Sequence, residues 1–186
     1  MTGRDRRLKF EYDTLMRRFE GRDDISISTR SFNNAGMPME YMVKYQIRSI
    51  CSVENMDLLS SSGATNPPVF ADCFFMGIDI PDGYPCIDSQ PAYRFLTRSD
   101  DGNPIPHPWH PNIRWFGDFA GRVCMNTPDT YTEIAWCVER VSRYLKYEIY
   151  HALNEPPYPE DQQVASWVIR QGEPEGWIFF NKSVYE

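Results

Sequence analysis

Apolar residues near the start of the chain recur at Leu8, Tyr12, Leu15, Met16 and Phe19, one stripe of an amphipathic helix. Thr2 and Asp5 stand at capping-box spacing ahead of that stripe, and Gly21 is placed to end the helix. The period then changes. Ile25-Ser26-Ile27-Ser28 alternates, and Tyr41, Val43, Tyr45 and Ile47 alternate with Met42, Lys44, Gln46 and Arg48, so both stretches predict strands with one buried face. Asn33-Asn34-Ala35-Gly36 between them has the residues of a hairpin turn. Val69–Ile80 predicts a third, mostly apolar strand, and Pro91–Thr97 a fourth with Tyr93, Phe95 and Thr97 facing one way. Four successive strands with local links predict an antiparallel meander.

Two stretches break the pattern. Residues 51–68 end in Ser60-Ser61-Ser62-Gly63 and Asn66-Pro67-Pro68, the composition of a loop or short insertion. Residues 98–130 are rich in proline and glycine and predict a long structured loop, a feature that in compact domains usually carries function. Helical spacing returns at Thr132–Leu153, where Ile134, Val138, Val141, Leu145, Ile149 and Ala152 share a face, and Pro156-Pro157 ends it. Glu160–Gln171 predicts a shorter helix with Val164, Trp167 and Val168 inward, and the apolar Trp177-Ile178-Phe179-Phe180 predicts a tail docked on the body. The fold class is α+β: an N-terminal helix, a four-stranded antiparallel meander, a long loop, a long central helix and a C-terminal helix.

The 186 residues fit one domain, and 41% hydrophobic with 15% aromatic content supplies one real core. No apolar run approaches the roughly 20 residues that cross a bilayer, and no basic-then-apolar leader precedes a cleavage site, so a cytoplasmic protein without membrane association is expected. The net charge of −7 repels phosphate backbones and argues against nucleic-acid binding. Arg4, Arg6, Arg7, Lys9, Arg17 and Arg18 crowd the first segment; they form either a solvated helix face or a surface for an acidic partner. The cysteines number five, an odd count with no CxxC pair, so reduced thiols are expected. Cys73 and Cys137 lie in apolar patterns and read as small buried hydrophobes.

Candidate chemistry concentrates in the long loop. Gly121-Arg122-Val123-Cys124-Met125-Asn126, followed by Thr127-Pro128, places a cysteine in turn-forming sequence rather than in a core pattern. A thiolate there is a nucleophile and a good leaving group, able to hold an acyl group that stays reactive toward amines. Asn112, after His110 and Pro111, could donate its side-chain amide to an oxyanion or tie its own turn together; the two roles are compatible. A thiol hydrolase would need a base beside Cys124, and no signature pairs His107, His110 or His151 with it. A zinc site from His107, His110, Cys124 and Cys137 has unusual spacing; His110 instead reads as a residue that folds the turn through a backbone hydrogen bond. No metal or other cofactor is expected.

From about Leu8 to Arg170 the order of motifs resembles the ubiquitin-conjugating enzyme family. Ile78-Asp79-Ile80-Pro81-Asp82-Gly83-Tyr84-Pro85 followed by Pro91–Thr97 resembles its strand–YP–strand core. His110-Pro111-Asn112-Ile113 is similar to its HPN motif, the Cys124 segment to that of its active cysteine, and Trp136 with Leu153-Asn154-Glu155-Pro156-Pro157 continues the pattern. The resemblance implies that Cys124 takes the C-terminal carboxyl of a ubiquitin-like modifier from an adenylating enzyme, and that an amine of a target protein then attacks the thioester. It implies that Asn112 supports the loop and the transfer intermediate, with His110, Pro111 and Asn126 as loop support. Arg4, Arg6 and Arg7 would help dock the adenylating enzyme. The acid that often lines the acceptor channel has no clear match; Glu155, Glu160 and Asp161 are the candidates.

The gaps from Asn112 to Cys124 and from Cys124 to Trp136 are longer than in most members. On this resemblance residues 1–186 form a single domain with its core at about 4–171, an insertion at about 49–68 and a C-terminal extension at about 172–186. Such divergence resembles the prokaryotic branch found in antiphage operons of the Bil type, with a ubiquitin-like cargo, or the CBASS type, with a cGAS-like nucleotidyltransferase. Loss of catalysis with retention of a binding role is the competing reading.

Overall fold

The computed structural model describes residues 2–61, 63–125 and 132–178. The first helix, α1 (Gly3–Phe19), opens with the capping box: Asp5 N–H donates to Thr2 Oγ1 while the Asp5 carboxylate accepts from Thr2 N–H. Those bonds hold the Asp5 carboxyl below the usual carboxylate range. Leu8, Leu15 and Phe19 are buried along the apolar stripe, and the chain leaves through Gly21 at φ 71°.

Strands β1 (Ile25–Phe32) and β2 (Pro38–Tyr45) form the hairpin across Asn33–Gly36. Asn33 Oδ1 accepts the Ala35 and Met37 N–H groups, an Asx-type closure of the turn. Strand β2 then pairs with β5 (Phe74–Asp79), and β5 with β6 (Ala92–Phe95), so the sheet runs β1-β2-β5-β6, antiparallel throughout. Tyr41, Val43, Tyr45, Phe74, Met76, Ile78, Tyr93 and Phe95 point inward from it, the faces that alternation predicts.

The stretch expected as one strand over Val69–Ile80 is two. β4 (Pro68–Ala71) pairs with β3 (Ser49–Val53) in a separate two-stranded sheet, and the chain crosses to the main sheet at Asp72-Cys73. An apolar run does not report where a strand changes partners. The link between the second and third strands of the meander is therefore a β3–β4 excursion, with a single 3-10 turn at Met56–Leu58, and not a loop alone. Cys73, at the crossing, is half-buried rather than buried.

The central helix α2 covers Ile134–Leu145 and does not reach Leu153. Lys146 caps it and Tyr147 takes a left-handed φ of 53°, turning the chain away. Ile149 and Ala152 keep the helical spacing but are buried from non-helical backbone. α3 (Gln162–Trp167) runs into a π-helical turn over Val168–Gly172, with Val164, Trp167 and Val168 buried.

Two hydrophobic cores result. The larger lies among α1, α2 and the main sheet. The smaller joins β3, Trp109, Tyr147, Tyr150, α3 and Ile178. Asn66, fully buried, welds the second core: it donates to the Glu54 and Asn55 carbonyls, exchanges hydrogen bonds with Gln171, and its carbonyl accepts Trp167 Nε1–H. Trp177 stacks on Trp167 and Ile178 is buried; the Phe179 and Phe180 part of the tail lies outside the described residues. No helix among the described residues is long and apolar enough to cross a membrane.

Candidate active site

The turn at His110-Pro111-Asn112-Ile113 closes by an Ile113 N–H bond to the His110 carbonyl, 2.9 Å. The His110 ring is buried between Tyr144 and Tyr147, with centroids 4.8 and 4.9 Å away. Its Nδ1 accepts Asn112 N–H at 3.1 Å, and its Nε2–H faces the Ile149 carbonyl at 3.1 Å. Burial pulls its pKa down to about 3, so the ring is neutral and both nitrogens are engaged. His107 is likewise lowered by burial and bonds the Trp115 carbonyl, while the His151 ring bonds the Glu155 carbonyl. All three histidines are thus occupied with main-chain partners.

Asn112 is 2% exposed. Its carbonyl accepts Cys124 N–H at 2.8 Å, and its side-chain Oδ1 accepts His151 N–H at 3.0 Å. The amide therefore braces the loop with its oxygen, and no acceptor among the described residues takes its Nδ2–H groups. The Cys124 segment is held on both edges. Val123 N–H bonds the Tyr93 carbonyl of β6, and Arg114 N–H bonds the Arg122 carbonyl. Gly121, at φ 88°, lies so close to β6 that a Cβ would overlap the Phe95 carbonyl. Only glycine meets both demands, the left-handed backbone and the close approach. Tyr144 Oη donates to the Cys124 and Met125 carbonyls at 3.2 and 3.3 Å, so α2 supports the loop from beneath.

Cys124 is half-buried and lines an open groove of about 640 Å³ with Tyr93, Arg94, Phe119, Arg122 and Glu160. Arg122 lies over the Phe119 ring and pairs with Glu160 at 2.6 Å; Arg94 donates to the Ala120 and Asp118 carbonyls. Cys137 also borders the groove but is 3% exposed, and burial pushes its thiol up to about 11. Among the described residues no three His, Cys, Asp or Glu side chains gather as a metal site.

The three candidate acids separate. Asp161 is buried; its Oδ1 caps α3 through Gln163 and Val164 N–H, its Oδ2 accepts Trp115 and Phe116 N–H, and its own N–H bonds the Pro111 carbonyl. It is a clamp on the loop. Glu155 is exposed, and of the three only Glu160 borders the groove, which Asp79 also lines. Asn126 lies outside the described residues.

The N-terminal arginines also part. Arg4 donates to the Tyr84 and Pro81 carbonyls, and Arg7 bonds Tyr84 Oη and pairs with Glu11, whereas Arg6 is exposed and bonds through its backbone N–H, to the Thr2 carbonyl, with no side-chain partner among the described residues. Glu11 itself is fully buried: it accepts Tyr84 Oη–H at 2.7 Å and Ile134 N–H at 2.9 Å, capping α2 from another element. Sequence reasoning missed Glu11, although a carboxylate inside the Leu8–Leu15 apolar stripe was the signal.

No family model matches the chain, and no curated protein matches it. It is similar to solved structures of ubiquitin conjugating enzymes. That of Plasmodium vivax is 17% identical, covering 75% of this chain and 98% of its own, with a TM-score of 0.44. UbcA1 of Agrocybe aegerita is 16% identical over 78% of this chain and 83% of its own, with a TM-score of 0.45. Human ubiquitin-conjugating enzyme E2 G1 is 15% identical over 76% of this chain and 93% of its own, with a TM-score of 0.42.

Proposed function

We propose that the protein is a carrier enzyme: Cys124 accepts the C-terminal carboxyl of a ubiquitin-like protein as a thioester from an adenylating enzyme and passes it to an amine of a target. One observation carries the reading. Cys124 opens onto a groove while its N–H is bonded to Asn112, whose Nδ2 donors are left unused by the described residues. A carrier needs an accessible sulfur, a donor for the developing oxyanion, and no base that would activate water. The engagement of His107, His110 and His151 with main-chain carbonyls counts against a thiol hydrolase. On this reading Glu160, which borders the groove and pairs with Arg122, would meet an incoming amine, and the exposed Arg6 would help meet an adenylating enzyme. Cytoplasmic antiphage defence, in an operon of the Bil type, is the setting this reading suggests.

The test is a gel shift with modifier, adenylating enzyme and ATP. The carrier predicts a band lost on adding thiol; no shift, when the adenylating enzyme charges itself, overturns it. A non-catalytic binding module is the alternative, and it predicts that Cys124→Ala leaves cellular function intact. A carrier acting on a cGAS-like nucleotidyltransferase differs only in the molecule loaded.

A further inference from the structure

Every cation bordering the groove is an arginine. Between Lys44 and Lys146 the sequence holds Arg48, Arg94, Arg98, Arg114, Arg122, Arg140 and Arg143 and not one lysine. Arg94 and Arg122 face each other across β6 and the Cys124 segment, an arrangement in which like charges oppose directly. Arg122 and Cys124 are two apart on extended backbone and so project to the same side, with Cα atoms about 7 Å apart. A lysine at either position would bring an amine within reach of an acyl group on the Cys124 sulfur.

We infer that arginine at positions 94 and 122 determines the acceptor: it supplies positive charge beside Cys124 while denying the thioester an internal amine. The inference rests on the carrier reading above. The chemistry that separates the two side chains is simple. A lysine amine attacks the thioester carbonyl carbon, a C–N bond forms, the C–S bond breaks, the sulfur leaves as thiolate, and the ammonium proton passes to solvent. The product is an amide that thiol cannot reverse. A guanidinium stays protonated with its nitrogen lone pairs delocalised, so it cannot take that step. Tethering multiplies the hazard, because a reactant held in place has an effective concentration far above that of any free amine. The remaining described lysines lie away from the groove. Lys9 pairs with Asp13 on α1, Lys44 is on β2 opposite Phe75, and Lys146 follows α2.

A structural alternative exists, since the guanidinium fork also makes paired bonds: Arg94 to two carbonyls, Arg122 to Glu160. The experiment separates the two. Wild type, Arg122→Lys, Arg94→Lys and Arg122→Gln are incubated with a labelled glycine-terminated peptide thioester, and the label is located by peptide mass spectrometry before and after thiol treatment. Exposed Cys86 reports that the probe is active. The expected result is thiol-labile label on Cys124 in all four proteins. At least one lysine variant should add thiol-resistant label at its own substituted position, with label on Cys124 lost about tenfold faster. The glutamine variant and wild type show no such label. Thermal melting identifies any variant that fails to fold, and the other lysine variant then decides. Labile label on Cys124 with no resistant label in a folded lysine variant overturns the inference and leaves the carrier reading standing. Label on Cys86 with none on wild-type Cys124 overturns the carrier reading and the inference with it.

Discussion

The Asn112 side chain braces the loop through its oxygen, the proposed carrier role adds a second task for its amide, and substitutions separate the two. Asn112→Asp keeps an oxygen for His151 N–H but loses the donor and adds a charge that opposes an oxyanion. It is expected to fold, to load, and to transfer the acyl group about 100- to 1000-fold more slowly, the range for a lost oxyanion donor; single-turnover discharge to a free amine measures it. His110 yields a pH prediction. Its folded pKa of about 3 lies below the ordinary value of 6.5, so the unfolded chain binds an extra proton between those limits. The neutral ring's contribution is complete above pH 6.5 and is lost as pH falls toward 3, by about 1.4 kcal/mol per unit. Urea melts at pH 6 and 5 should show most of that slope in wild type and a shallower one in His110→Gln. At this scale the turn-forming composition around Cys124, Asn112 and His110 is legible in the sequence, and all three lie outside the helices and named strands. The sequence could not divide Glu155, Glu160 and Asp161, because all three precede α3 on irregular backbone, where no periodicity assigns a face. Contacts alone show that Asp161 clamps the loop while Glu160 borders the groove.

Helices and strands differ in how far periodicity reaches. The α1 stripe and the alternating face of β2 are explicit in the sequence because each element buries one side along its whole length. The crossing at Asp72-Cys73 is not, because both strands it joins are apolar. The end of α2 is also hidden. Ile149 and Ala152 preserve helical spacing beyond the left-handed Tyr147, and spacing does not register a turn that no glycine or proline marks. Between α1 and α2 the decisive residue is Glu11. Its carboxylate lies out of water, held by Arg7, Tyr84 and the first amide of α2. Removing one partner of such a group leaves the others buried and unmet. Glu11→Ala is expected to cost about 3–5 kcal/mol in urea unfolding. It should also speed amide exchange in the first turn of α2, whereas Arg6→Ala, at an exposed position, should change neither. An unchanged melt for Glu11→Ala would remove the proposed link between these helices.

Across the whole molecule, the 49–68 stretch and the segment from α3 to Ile178 are far apart in sequence and share one core in space. Asn66 and Gln171 join them, and Trp109, next to His110, carries their shared core up to the loop. Nothing in a single sequence pairs position 66 with position 171. Trp167 is the centre of that core, packed against Trp109 and Trp177. Trp167→Ala is expected to cost about 3–5 kcal/mol, with denaturant melts of the full chain as the check. The central claim concerns the sulfur of Cys124. Intact-mass spectrometry of the chain, after incubation with adenylating enzyme, ATP and the ubiquitin-like protein, tests it most directly. The account predicts a mass gain equal to the modifier minus one water, removed by thiol and absent from Cys124→Ala. An adduct that persists in Cys124→Ala, or none in wild type beside a charged adenylating enzyme, would contradict it.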